Sequence, residues 1–249
     1  MLETLVEFWS LLKKYFVHTT VFCVLIAGLK FIFGRYFYAV SYIPIDFVLS
    51  VILMGCAYSF LENSEKSGHK KVSYFAKGFD KILSLVNIAV TFIILEKVSN
   101  YFLQILSPEV NLVRFTDQVS YVGEYYLMIF FGEFNTTRMI LIVVALPFLL
   151  TLTIAIITVV TKQMKFIQSM VYSLNVVYYS AIDVLVGFFL FQILHVFTYH
   201  FIEWGSIYYV LISSVIFSLQ LLYFYTVYVV RGRKFEVESE DDLLSQFGR

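Results

Sequence analysis

The chain has 249 residues, of which 60% are hydrophobic, 19% aromatic and only 14% charged, and its 18 basic and 18 acidic side chains cancel. Soluble domains contain roughly 45 to 50% apolar residues, so a water-soluble fold is excluded, and a chain without net charge leaves no footprint for nucleic acid. The two cysteines, Cys23 and Cys56, rule out a disulfide framework or a cysteine metal centre, and no metal or cofactor is expected.

A helix needs about 20 apolar residues to cross the hydrocarbon core. The expected fold is therefore all-α: a polytopic membrane bundle of six transmembrane helices. An N-terminal amphipathic helix and an interfacial or re-entrant helix near 115–134 accompany it. In residues 1–14, Leu2, Leu5, Val6 and Trp9 recur at helical spacing opposite Glu3, Glu7 and Ser10, the pattern of an amphipathic helix on the inner leaflet. It is not a cleavable signal, because two acids precede the apolar run and no small-residue cleavage site follows it.

The membrane domain covers 15–233. Span one is residues 16–33, with Lys30 able to snorkel to the head groups. Span two is 37–61 and opens on the aromatic cluster Tyr36, Phe37, Tyr38 and Tyr42, which suits the outer interface. Residues 62–78 form a polar, basic cytoplasmic loop. Span three is 82–106, interrupted by Glu96 and Lys97. The outer-face segment 107–137 places Phe115, Val119, Val122, Tyr126 and Ile129 at helical spacing among Asp117, Glu124 and Glu133. Spans four, five and six are 139–160, with a bend at Pro147, then 167–197 and 207–230. Residues 234–249 are an acidic cytoplasmic tail.

The topology follows from charge. Thirteen of the 18 Lys and Arg residues lie at alternate boundaries: Lys13 and Lys14; Lys66, Lys70, Lys71, Lys77 and Lys81; Lys162 and Lys165; and Arg231, Arg233, Lys234 and Arg249. Cationic flanks stay in the cytoplasm during insertion, so both termini are expected inside, in a cell or organelle membrane. A seventh crossing within 107–137 would put Lys162, Lys165 and the Arg231 run outside, so that segment is read as interfacial or re-entrant.

Asp46 and Asp183 stand inside apolar spans, where a central carboxylate costs about 2.5 to 3.5 kcal/mol on insertion. At ~1.5 Å per residue, Asp183 falls about 24 Å from Ile167 and 21 Å from Phe197, near the middle of a long tilted span, while Asp46 lies nearer the outside. Together with Asn175 and Arg138 they are candidates for an ion pathway. The competing reading is a protonated carboxyl bonded to Ser180, Asn175 or Tyr179.

At the outer rim, Glu124, Glu133, His200 and Glu203 are candidates for concentrating cations at a pore mouth, or else part of an ordinary solvated surface. His200 and Glu203 share a helical face, but His195 lies about 140° round the helix from His200, so no metal site is expected. In the tail, Glu240, Asp241, Asp242, Leu243 and Leu244 are candidates for docking a basic partner.

Motifs for catalysis are missing: there is no GxSxG, Walker loop, HExxH or set of mid-span histidines, so the chain is not expected to be an enzyme. With 11 Gly and 3 Pro, it has few of the broken, glycine-rich helices of alternating-access transporters. The expected function is a non-catalytic scaffold, regulatory or channel-forming subunit. Its expected partners are the lipid bilayer and either further copies of itself or a membrane or cytoplasmic protein. The alternative is a proton- or cation-coupled small-solute transporter using Asp46 and Asp183.

Overall fold

The computed structural model describes residues 1–37, 45–106, 136–201 and 207–232. Among them the secondary structure is entirely helical, with no strand. The helices are α1 (Leu2–Phe37), α2 (Ile45–Ser67), α3 (Ser73–Ala76), a 3₁₀ turn (Lys77–Lys81), α4 (Ile82–Leu106), α5 (Thr136–Thr161), α6 (Phe166–Tyr179), α7 (Ala181–Phe201) and α8 (Ile207–Val227), followed by a π-helical turn (Tyr228–Gly232). By length and composition three segments can cross a membrane: Phe47–Ser67, Ser73–Leu95 and Val210–Gly232. A fourth is added if the bent pair Phe166–Tyr179 and Ala181–Phe191 is one broken span. The segment near 115–134 and the acidic tail lie outside the described residues.

Residues 1–14 are the opening turns of α1, a single helix of 36 residues that is about 54 Å long. Nothing at Lys13 or Lys14 breaks it, since the first glycine is Gly28. Its buried residues Leu11, Tyr15, Thr19 and Cys23 recur every fourth position, which places them in one stripe along the helix. That stripe meets α2 and α8. Val17, Val21 and Leu25 face outward.

Helix α2 is the centre of the bundle and touches α1, α3, α4, α5 and α8. It runs on to Ser67, where Gly68 adopts φ +69° and its N–H donates to the Ser64 carbonyl, a left-handed helix stop that glycine makes without strain. The chain then folds back against α2, so that within 62–78 the non-helical stretch is 68–72. Phe75 stacks flat on Phe60, with centroids 4.3 Å apart, and on Phe22 at 4.4 Å. Gly78 presses on α2 so closely that a Cβ there would lie 2.5 Å from the Cys56 Cα.

The long, tilted span expected over 167–197 is not one continuous helix, because α6 and α7 meet at 91°. Two interactions fix the elbow. α6 is clamped to the end of α5 by buried hydroxyls, with Thr158 Oγ1 lying 2.6 Å from Ser169 Oγ and 3.1 Å from Ser173 Oγ. At the corner, the Ser180 N–H donates to the Val176 carbonyl to end α6, and the Ser180 carbonyl accepts from the Val184 N–H to start α7. A serine at a helix start and an acid, Asp183, in the first turn are the residues a helix N-terminus favours.

Candidate functional site

The break at Ser180 moves Asp183 from mid-span to the first turn of α7, beside the end of α8. There it is 3% exposed. Its Oδ2 accepts from Arg231 Nε at 2.6 Å, and its Oδ1 lies 3.3 Å from the Met1 nitrogen, an ion contact and not a hydrogen bond. Tyr223 on α8 donates its phenol to the Asp183 backbone carbonyl at 2.9 Å. One carboxylate thus joins three parts of the chain that are far apart in sequence. Gly187, one turn further along α7, lets the Tyr223 ring approach, since a Cβ would stand 2.0 Å from its Cε1.

A second buried carboxylate, Glu62, sits on α2. Tyr225 of α8 donates to its Oε2 at 2.8 Å, and Lys66, one turn on in the same helix, lies 2.8 Å from Oε1. The Tyr225 ring packs against those of Tyr58 and Tyr228, and Tyr228 accepts a hydrogen bond from Thr161 at 2.8 Å. These contacts tie the lower ends of α2, α5 and α8 into one polar layer.

The described parts of the four basic boundary segments converge on this same layer. Lys14 meets Glu65 at 2.6 Å, and Lys70 donates to the Lys14 carbonyl. Lys81 donates to the Gln163 carbonyl at 3.3 Å. Tyr172 of α6, with Lys162 over its ring, donates to the Gly232 carbonyl. The ends that sequence separates by up to two hundred residues are therefore one surface.

Among the described residues, Asp183 is the one ion-pathway candidate from the sequence that lies in this layer. Asn175 is on the exposed side of α6. The base that meets Asp183 is Arg231, not Arg138, which stands at the opposite end of α5. Asp46 opens α2 and His200 closes α7, with side chains beyond what is described. Glu124, Glu133, Glu203, Glu240, Asp241, Asp242, Leu243 and Leu244 lie outside the described residues.

Glu62, Arg231, Tyr223 and Tyr225 are the residues that sequence reasoning missed as site members. One signal was available for the elbow: Ser180 followed three residues later by Asp183, ahead of an apolar run, is a helix-start pattern. Among the described residues no three His, Cys, Asp or Glu side chains gather to hold a metal ion. No protein-family model, no curated protein and no solved structure matches this chain.

Proposed function

We propose that the chain is a multi-pass integral membrane protein with six helical spans and both termini on the lysine-rich, cytoplasmic side. It serves as a non-catalytic scaffold, regulatory or channel-forming subunit. The observation that carries this reading is the fate of Asp183. A carrier needs its titratable acid exposed to a path through the midplane, whereas Asp183 is at one end of the bundle and bound 2.6 Å from Arg231. An acid so placed holds helices together.

The meeting of the described parts of the four basic segments at one end supports the topology, because a single insertion orientation then satisfies all four. A subunit role draws support from α4. The candidate span Ser73–Leu95, which takes in the first part of α4, is apolar, yet only 28% of its most apolar window is buried within the chain, against 78% for Phe47–Ser67 of α2. Leu83, Val90, Ile94, Val98, Tyr101 and Ile105 all face outward, an apolar surface that lipid or a neighbouring helix covers.

Native mass spectrometry on the protein gently extracted from its own membrane tests the proposal. A second polypeptide, or a closed homo-oligomer, is the expected result. A lone monomer whose reconstituted vesicles take up protons, with uptake lost in Asp46→Asn, would replace it with the carrier reading.

A further inference from the structure

Five lysine ammonium groups lie over aromatic rings among the described residues, and all five are at the lysine-rich end: Lys13 over Trp9, Lys14 and Lys70 over Tyr15, Lys77 over Tyr74 and Lys162 over Tyr172. Tyr15 is the unusual one, because two cations share its ring, 5.2 and 5.4 Å from the centroid. Lys14 belongs to α1 and Lys70 to the segment between α2 and α3, so only the folded chain brings them together.

Their charges are not both neutralised there. Lys14 faces Glu65 at 2.6 Å. Lys70 donates to the Lys14 backbone carbonyl, an uncharged acceptor, and an ammonium has three donors, so its positive charge stays in place with donors to spare. Lys71 follows and is exposed. With Lys14 paired to Glu65, which also borders Tyr15, Lys70 and Lys71 leave a net positive charge beside that ring, and it attracts an anion.

The neighbouring side chains indicate which anion. Val72 is 82% exposed, Phe79 48% and Leu83 73%, and they interleave with Lys70, Lys71, Lys77 and Lys81. Apolar groups alternating with lysines fit the boundary of a leaflet, where methyls and rings enter the acyl region and ammonium groups stay at phosphate level. A dissolved phosphate would leave those apolar side chains in water. We infer that Lys70 and its neighbour Lys71, beside Tyr15 and the Lys14–Glu65 pair, form a binding site for the phosphate head group of an anionic phospholipid in the facing leaflet.

The test is titration of the purified full chain in detergent with phosphatidylserine or phosphatidylcholine, counting bound lipid by native mass spectrometry. The chain should retain phosphatidylserine at lower concentration. Lys70→Gln with Lys71→Gln should weaken that retention about fivefold for each lysine removed and leave phosphatidylcholine unchanged. Lys97→Gln, on α4 about 24 Å along the chain from Lys81, should change neither.

Three results would overturn the inference. No preference for the anionic lipid would do so, as would an equal loss in Lys97→Gln, since total charge rather than a site would then be responsible. Displacement of the lipid by excess inorganic phosphate would make it a site for the free anion. Lys71→Gln alone, on an exposed side chain, provides the same readout if the double variant has a lowered thermal midpoint.

Discussion

Asp183 and Glu62 are buried carboxylates at the same end of the bundle, and they are held in opposite ways. Asp183 receives its cation from across the chain: Arg231, from the end of α8, has a side chain only 23% exposed. The cation of Glu62 is Lys66 of its own helix, whose side chain is 63% exposed, and what reaches it across the bundle is a neutral phenol, Tyr225. The first arrangement stakes tertiary structure on a charge pair. The second stakes it on a hydrogen bond, with a solvent-screened pair that contributes little.

Breaking the two should therefore differ in scale. Asp183→Asn leaves Arg231 facing a neutral amide, and removing one partner of a buried pair costs about 3 to 5 kcal/mol. The partial exposure of Arg231 favours the lower figure, and denaturant unfolding in detergent measures it. Gly187→Ala acts on the same elbow through packing. Its Cβ meets the Tyr223 ring, whose phenol holds the Asp183 carbonyl, so a loss of about 1 to 3 kcal/mol is expected.

On the Glu62 side the effects shrink. Tyr225→Phe removes the hydrogen bond that spans the helices and should cost about 1.5 kcal/mol. Glu62→Gln keeps an acceptor for the phenol and should cost less than Tyr225→Phe. Lys66→Ala should change stability by about 0.5 kcal/mol or less. If Lys66→Ala proved as damaging as Asp183→Asn, the contrast between the two carboxylates would fail.

The difference also explains what could be read from the sequence. Apolar length and the spacing of lysines locate the helices, because both are local properties, and each long apolar stretch does carry a helix where its ends are described. The elbow at Ser180 is not local in that sense. Hydropathy runs unbroken from Ile167 to Phe197, without proline, and the only glycine, Gly187, is not at the bend. Ser180 and Asp183 permit a helix start there, and tertiary partners, the α5 hydroxyl at Thr158 and the Arg231 guanidinium, decide that the chain turns.

Glu62 was hidden for the opposite reason. It lies among Asn63, Ser64 and Glu65, so composition assigns it to a loop. In fact α2 continues to Ser67, and Phe75 and Gly78 fold back onto it. A polar stretch becomes helix because aromatic side chains downstream cover it. Site membership for Arg231 was masked likewise, since one explanation, a cationic flank, already accounted for it.

The most direct test is a double-mutant cycle on Asp183→Asn and Arg231→Gln, read by unfolding of the full chain in detergent. If the pair is the latch of the α6–α7 elbow, the double variant should lose less stability than the two single variants added together, with a coupling of about 1 to 3 kcal/mol. Strict additivity would mean that the two groups do not meet in the working protein, and Asp183 would return to being an unpaired acid within a span.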